Sequence, residues 1–325
     1  MNHTDKQKIL VGIVTMNRLD KLTRTLMECS NQGFDEIVVV DNGSTDGTRE
    51  FLARQTGLHA IFPEENEGGS GGFNRLMRHL IDNTQHRWLL LFDDDAFPTF
   101  SMDALTDYLS CETEPRVPAF AFRVNYPDGA ICKMNRPGMN ILNTNPLKAL
   151  LHDHHIQEFD RDCLVDFSSF AGILLRRETI ERIGYVSKQF FIYSDDIFYT
   201  LSISSTLGKM RYCHDFAFTH DCNRSSRRMS NQDSGRIKRD IANKLVLLRE
   251  YSRFFRVYCA LYVLRQIILN PNRIFTILQA SRLGMSADLR LYRNERLSSE
   301  STSPRTAPAL TSTSNYQIAP AITVR

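Results

Sequence analysis

Short apolar runs alternate with amphipathic stretches over the first hundred residues of the chain. The apolar runs predict buried strands at residues 9–14, 36–40, 59–62 and 88–92. Helical periodicity between them predicts helices near residues 21–29, 48–54 and 72–82. The third helix is the clearest, because Phe73, Leu76, Met77, Leu80 and Ile81 fall on one face. The alternation predicts an α/β fold with a mostly parallel, Rossmann-like central sheet flanked by helices.

The later part of the chain is less regular. We expect a helix at 102–109, a strand at 119–124, and loops or a hairpin over the site from 126 to 159. A regular apolar pattern returns at 165–175. It is followed by predicted helices at 178–183 and from Ser194, and by two predicted strands at 210–212 and 216–219. From 235 to about 283 the pattern is helical, and Asn270-Pro271-Asn272 divides it into two helices.

Composition divides the chain into three predicted parts. Residues 1–224 form the α/β domain, residues 225–297 form a basic helical appendage, and residues 298–325 form a disordered tail rich in Ser, Thr, Pro and Ala. Residues 224–296 hold 16 Lys and Arg against five Asp and Glu, whereas the whole chain has a net charge of only +3. This distribution indicates an anionic surface partner.

Two interpretations of the basic helices stay open. Arg249, Arg253 and Arg256 recur at helical spacing beside aromatic residues, a pattern typical of helices that lie on an anionic membrane surface. The same pattern fits helices packed on the first domain with solvated arginines. No nucleic-acid recognition motif is present, so we expect no nucleic-acid partner.

The cysteines and the amino terminus indicate the compartment. None of the seven cysteines forms a Cys-x-x-Cys pair, so zinc-site spacing is absent and reduced thiols are expected. The polar start carries no targeting peptide, and no apolar stretch reaches the roughly 18 residues that span a bilayer. We therefore expect a cytoplasmic protein, peripheral at the inner face of the plasma membrane.

Three consecutive carboxylates follow the apolar run that ends at Phe92. Side chains two apart on an extended chain point the same way, so Asp93 and Asp95 are expected to converge on one cation while Asp94 faces elsewhere. Mg²⁺ and Mn²⁺ favour such oxygen ligands and keep positions open for phosphate. The alternative is a capped strand end followed by a turn at residues 96–98.

Three further polar clusters follow predicted strands. They are residues 15–18, residues 41–47, and the glycine-rich run at 66–75. Each alone fits a turn or a helix cap. Together with the triplet, at adjacent strand ends, they predict a nucleotide crevice closed by a metal ion.

These motifs resemble the inverting family 2 glycosyltransferases of the GT-A fold. The resemblance rests on residues 14–18, 38–48, 66–75 and 92–95, and it extends over roughly residues 9–222. It is greatest to the rhamnosyl- and galactofuranosyltransferase-like branch that builds bacterial surface polysaccharides.

The resemblance implies roles for the matched positions. The base and ribose pocket would be lined by Thr15, Asn17, Arg18 and Asp41. The diphosphate and donor sugar would lie near Asn66, Gly69 and Arg75. Mg²⁺ or Mn²⁺ would be held by Asp93 and Asp95, and Asp94 would support the nucleotide sugar.

The acids Asp195 and Asp196 resemble the family's acidic pair at the start of a helix. An inverting transfer needs one carboxylate to take the acceptor proton, and we predict Asp196 as this base, with Asp195 positioning the acceptor. The alternative is a helix cap. His220 matches a histidine that completes the metal site in some relatives. Phe198 and Ser202 stand where relatives often carry an acid and an arginine, which leaves the acceptor or diphosphate contacts open.

The sequence thus predicts a metal-dependent inverting glycosyltransferase of hexosyl type. Its donor would be a UDP- or dTDP-sugar, and its acceptor a saccharide or a polyprenyl-diphosphate-linked molecule. Two alternatives are a sugar nucleotidyltransferase and a non-catalytic, membrane-associated protein that binds nucleotide sugars. The first usually has a basic glycine-rich loop near the amino terminus, which residues 11–15 lack.

Overall fold

The fold comes from a computed structural model that describes residues 8–111, 117–140, 142, 155–222 and 234–296. The strands among these residues are β1 Ile9–Thr15, β2 Ile37–Asp41, β3 Leu58–Ile61, β4 Trp88–Asp93, β5 Ala96–Pro98, β6 Ala119–Asn125, β7 Cys163–Val165, β8 Ile173–Arg176 and β9 Met210–His220. The helices of the first part are α1 Leu19–Asn31, α2 Thr48–Ala53, α3 Gly68–Asn83, α4 Met102–Cys111, α5 Arg177–Ile183 and α6 Asp195–Leu207. The later helices are α7 Ser234–Tyr251, α8 Phe255–Leu269, α9 Ile274–Ser286 and α10 Leu289–Tyr292. The predicted disordered tail lies outside the described residues.

One nine-stranded sheet organises the chain. Its order is β3-β2-β1-β4-β8-β6-β9-β5, with β7 paired to β9. Strands β1 to β4 are mutually parallel, as the βαβ pattern predicted, and β8 then joins antiparallel to β4. The α/β class and its central parallel strands are confirmed.

Both faces of the parallel strands are covered by helices. Val11 and Leu90 face the core under α1 and α4, whereas Leu10 and Leu89 face the core under α3 and α6. Because side chains alternate across a strand, burial on both faces requires an unbroken apolar run. This explains why the first strands read as continuous runs.

Two boundaries in the second half differ from prediction. The strands predicted at 210–212 and 216–219 are the single strand β9, whose pairing with β6 jumps from Cys213 to Ala217. Such a bulge interrupts the alternation that marks a strand in sequence. The predicted break at Asn270-Pro271-Asn272 is present, but a further break occurs at 252–254, where the Ser252 hydroxyl donates to the Leu142 carbonyl at 2.5 Å.

The carboxy-terminal helices pack on the α/β part of the chain through α7. Val246 and Leu247 of α7 share an apolar cluster with Phe190 and Phe198. A second cluster holds α7, α8 and α9 together, with Ile241 and Ile277 at its centre. Across the described ranges, no helix combines the length and apolar character that a bilayer span requires.

Candidate active site

The aspartate triplet lies at the carboxyl end of β4, between the parallel and mixed parts of the sheet. Asp93 ends the strand, and Asp94 and Asp95 form the tight turn into β5. The convergence of Asp93 and Asp95 therefore comes from this turn, and the extended chain assumed from the sequence is wrong here. Residues 96–98, the turn of the alternative interpretation, form β5 and pair with β9.

Pairing of β5 with β9 brings His220 beside the acids. Ala96 is paired with His220, and Nε2 of His220 lies 3.1 Å from Oδ1 of Asp95. One ligand atom each from Asp93, Asp95 and His220 lies within 4.8 Å of the others. Carboxylate oxygen and imidazole nitrogen suit Mg²⁺ or Mn²⁺, so this donor set fits a divalent cation. The three predicted metal ligands are thus brought together.

Asp94 points into a different set of contacts. It accepts a hydrogen bond from the Thr15 hydroxyl at 2.7 Å and another from Arg18 at 3.1 Å. Arg18 also contacts Asp95 at 2.7 Å, and its side chain is half exposed. Thr15 and Arg18, predicted to line the base and ribose pocket, therefore lie against the acidic turn.

The protonation of the cluster reflects its crowding. Burial, followed by the charge of Asp95, raises the pKa of Asp93 to about 7. Burial also raises the pKa of Asp94 to about 6, against the opposing effect of Arg18. A divalent cation between Asp93 and Asp95 would offset this repulsion.

His220 is held from its other side by Asn135. Nδ1 lies 2.9 Å from Oδ1 of Asn135, whose amide nitrogen donates to Ser169 at 2.9 Å. A proton on Nδ1 donated to Asn135 leaves Nε2 free to bind a cation. Although burial acts the other way, contacts with Asp95 and Cys132 raise the pKa of His220 to about 10. A cation that binds Nε2 must therefore displace a proton, so its affinity rises with pH.

A buried acid lies at the carboxyl end of β2, which β1 separates from β4. Oδ1 of Asp41 accepts from the Ser44 backbone at 3.0 Å, whereas Oδ2 is buried with no hydrogen-bond partner among the described residues. Asn17, which has a φ of +53°, links the loop after β1 to the loop after β2. Its side-chain oxygen accepts a hydrogen bond from Thr45 N at 2.6 Å. An orphaned buried carboxylate oxygen is costly, so it indicates a donor that belongs to a ligand.

The glycine run differs from prediction. It forms the first turn of α3, which begins at Gly68 and not at residue 72. A Cβ at Gly68 would lie 2.0 Å from the Phe191 carbonyl oxygen, and one at Gly72 would lie 2.5 Å from Val14. A Cβ at Gly69 would meet nothing within 4 Å. Most of these glycines therefore serve close packing, and Gly69 faces open space.

The other two residues predicted near the diphosphate flank this turn. Asn66 is exposed and accepts from Gly68 N at 2.8 Å, which fixes the entry to α3. Arg75 contacts Glu67 through two nitrogens, at 2.5 and 3.0 Å, and Lys188 contacts the same carboxylate at 3.0 Å. Arg75 is thus oriented by its contacts with Glu67.

Alanine substitution at Gly68 and at the adjacent Gly69 should distinguish a glycine that packing requires from one that faces open space. We expect Gly68→Ala to lower the free energy of unfolding by about 2 kcal/mol or more, because its φ is +70° and the new methyl group would overlap the Phe191 carbonyl. Gly69→Ala should leave stability unchanged or raise it by about 0.5 kcal/mol, because a methyl group at this helical position meets nothing within 4 Å. Urea unfolding of both variants measures the difference, and equal destabilisation would contradict it.

A strained loop presents the acidic pair. Four described non-glycine residues have positive φ, and three of them, Phe191, Tyr193 and Ser194, immediately precede Asp195. Such conformations cost of order 1–3 kcal/mol each and persist only where neighbouring contacts enforce them. Ser194 does not cap α6 through its side chain, so the capping alternative fails for Ser194.

Asn243 of α7 holds this loop in its strained conformation. Its buried amide nitrogen donates to the carbonyls of Phe190, Ile192 and Tyr193 at 2.9, 2.8 and 3.1 Å. From the opposite side, Ser70 N donates to the Phe191 carbonyl at 3.2 Å. The first carboxy-terminal helix is therefore part of the support of the acidic pair.

The two acids differ in environment. Asp195 is buried, whereas Asp196 is partly exposed in the first turn of α6. Burial and then the charges of Asp196 and Asp93 raise the pKa of Asp195 to about 8. Asp195 is therefore mainly protonated at neutral pH, and Asp196 is the more accessible carboxyl group of the pair.

Comparison with known proteins identifies the first part of the chain. Residues 10–106 match the family model described as glycosyl transferase family 2. Over these residues the chain is similar to the family 2 glycosyltransferases. The matched range includes all four strand-end clusters, as the resemblance in the sequence predicted.

Two curated relatives extend the match. Glycosyltransferase AglJ of Haloferax volcanii is 30% identical over 158 residues, which is 48% of this chain and 48% of AglJ. Galactofuranosyltransferase GlfT1 of Mycolicibacterium smegmatis is 24% identical over 210 residues, which is 61% of this chain and 65% of GlfT1. The chain thus spans about half the length of the first relative and just under two thirds of the second.

A solved structure agrees with the fold. The crystal structure of GalNAc-T7 with UDP, GalNAc and Mn²⁺ matches 79% of this chain and 50% of its own, with a TM-score of 0.58 at 13% identity. The predicted GT-A fold, with carboxy-terminal helices beyond it, is confirmed.

Proposed function

We propose that this chain is a metal-dependent inverting glycosyltransferase that uses a UDP- or dTDP-sugar. The observation that carries the proposal is the convergence of Asp93, Asp95 and His220 at the carboxyl edge of the parallel strands, where open α/β sheets bind ligands. The acceptor would be a saccharide or a polyprenyl-diphosphate-linked molecule in the synthesis of a bacterial surface polysaccharide. Residues 1–224 would form the catalytic domain, and residues 225–297 its helical appendage.

The nucleoside would bind beside Asp41. Its unpartnered Oδ2 can accept a hydrogen bond from the imide N–H of a pyrimidine base, and uracil and thymine both present this group. Asn17 shapes the loop that would cover the base, and Thr15 and Arg18 would lie toward the ribose through their contacts with Asp94.

The diphosphate would lie between the acids and the start of α3. Asp93, Asp95 and His220 would hold Mn²⁺ or Mg²⁺, which when bound supplies positive charge for the departing diphosphate. The first turn of α3 offers backbone N–H groups to an anion, and Gly69 leaves room for its approach. Asn66 and Arg75 flank this entrance.

Asp196 would act as the base. The acceptor hydroxyl oxygen attacks the anomeric carbon as Asp196 takes its proton, and the nucleoside diphosphate leaves from the opposite face. Protonated Asp195 would donate a hydrogen bond that positions the acceptor. The contact between Asn243 and the strained loop keeps both acids in place.

A direct test incubates the protein with UDP- and dTDP-sugars, Mn²⁺ and saccharide or lipid-linked acceptors. The proposal predicts release of the nucleoside diphosphate and a product whose anomeric configuration, read by NMR, is opposite to that of the donor. Release of pyrophosphate in a separate incubation with a sugar 1-phosphate and UTP or dTTP would support a nucleotidyltransferase. A retained configuration would exclude a single inverting transfer.

We also propose that α8 and α9 bind an anionic membrane surface. Residues 252–287 contain five arginines and no aspartate or glutamate. Large apolar side chains project from the same helices, including Phe275 and Ile268, which are 74% and 68% exposed. An apolar face edged by arginines fits a bilayer of anionic lipids. Arg249, by contrast, donates to the Gly284 and Ala287 carbonyls, so it belongs to the packing.

Flotation with vesicles tests this surface. We expect the protein to float with phosphatidylglycerol-containing vesicles and much less with pure phosphatidylcholine. A Phe275→Glu/Ile268→Glu variant should lose binding, because two charges would enter the apolar face. Leu164→Glu, at an apolar position on β7 that is 52% exposed, is the control and should still float. Equal flotation of all variants would contradict the assignment.

A further inference from the structure

A second cluster of metal-binding side chains lies directly behind the proposed catalytic metal site. One ligand atom each from Cys132, His220 and Cys222 lies within 4.8 Å of the others. Cys132 is fully buried and Cys222 is partly exposed, so the cluster has a solvent side. The sequence predicted only reduced thiols, because 90 residues separate Cys132 from Cys222.

The two nitrogens of His220 face the two clusters separately. Nε2 lies 3.1 Å from Asp95, whereas Nδ1 lies 4.0 Å from the sulfur of Cys132. The Asp93–Asp95 side offers oxygen ligands, and the cysteine side offers sulfur ligands. Thiolates select soft or borderline ions such as Zn²⁺, Cd²⁺ and Co²⁺ over Mg²⁺ and Mn²⁺.

We propose that Cys132, Cys222 and Nδ1 of His220 form a binding site for a thiophilic divalent cation, and that its occupation excludes the catalytic cation. This inference rests on the proposed function only for its inhibitory consequence. Two sulfur ligands and one imidazole nitrogen leave a fourth position open toward the solvent side, as in three-ligand zinc sites.

Exclusion follows from the proton on the imidazole. With the proton on Nδ1 and donated to Asn135, Nε2 has a lone pair for the ion beside Asp93 and Asp95. Binding at the thiol site forms two metal–sulfur bonds, and both thiol protons pass to solvent. The Nδ1 lone pair then binds the metal, and the ring proton is carried on Nε2, where it is donated to Asp95. His220 is thereby lost as a ligand to the catalytic ion.

Cobalt provides a spectroscopic test that needs no catalytic activity. Titration of the full chain with Co²⁺ should produce a sulfur-to-cobalt charge-transfer band that saturates at one equivalent. Cys222→Ser, at the more exposed position, should abolish this band, and Cys132→Ser should do the same. Cys163→Ser removes a thiol of β7 outside the cluster and should leave the band unchanged.

Absence of the band in the unmodified protein, or its persistence in Cys222→Ser, would overturn the site. The inhibitory consequence is measured separately, as the Zn²⁺ concentration that halves Mn²⁺-dependent transfer. We expect this concentration to rise at least about tenfold in Cys222→Ser and to stay unchanged in Cys163→Ser. An unchanged value in Cys222→Ser would overturn the exclusion. The cobalt spectrum tests the metal site even if the protein has no transferase activity.

Discussion

Replacement of Asp196 by asparagine should lower the rate of sugar transfer by about 10²–10⁴-fold, the usual contribution of a general base. Asparagine keeps the size and part of the hydrogen bonding of aspartate but cannot take a proton from the acceptor. The loss should fall on kcat, while the affinity for UDP and Mn²⁺ stays near that of the unmodified protein. Initial rates and calorimetry with UDP measure the two quantities.

Asp195→Asn is the informative companion to this variant. Because Asp195 is mainly protonated at neutral pH, an uncharged side chain at this position should cost much less activity than Asp196→Asn. If Asp195→Asn lost more activity than Asp196→Asn, Asp195 would be the base and Asp196 would position the acceptor. Full activity of Asp196→Asn would remove it as the base.

Asp95→Asn should have an effect of similar size by a different route. The substitution removes a charged ligand of the proposed cation and leaves the buried His220 without its ionic partner. Although burial opposes it, His220 lowers the pKa of Asp95, so this carboxylate is the one most firmly ionised in the cluster. We expect transfer to fall by at least about 100-fold and the Mn²⁺ requirement to rise.

A matched surface acid separates this effect from a general change of charge. Asp20 is exposed in the first turn of α1, so Asp20→Asn makes the same chemical change away from the cluster. It should retain full activity and an unchanged dependence on Mn²⁺. If Asp95→Asn behaved like Asp20→Asn, the acids would not hold the catalytic cation.

Local patterns in the sequence were sufficient for the first half of the fold. The strands β1, β2 and β4 are buried on both faces, so each reads as an apolar run that ends at a polar cluster. The position of the aspartate triplet at the sheet edge follows from this pattern. The glycine run was misplaced because glycine has low helix propensity, whereas contacts with Phe191 and Val14 require glycine inside α3.

Residues that act through long-range contacts could not be found in the sequence. Asn135 lies in a region of weak periodicity and reaches His220 across 85 positions, and Asn243 reaches the strained loop from a helix that seemed a separate appendage. No local pattern distinguishes either asparagine from a solvated one. The proximity of Cys132 to Cys222 was hidden for the same reason.

The central claim is that Asp93 and Asp95 bind the donor diphosphate through a divalent cation. Its most direct test is calorimetric titration of UDP into the protein with Mn²⁺, with EDTA, and with Mn²⁺ in the Asp93→Asn/Asp95→Asn variant. We predict binding in the first titration and a loss of at least about tenfold in affinity in the other two. Equal affinity in all three titrations would contradict the claim.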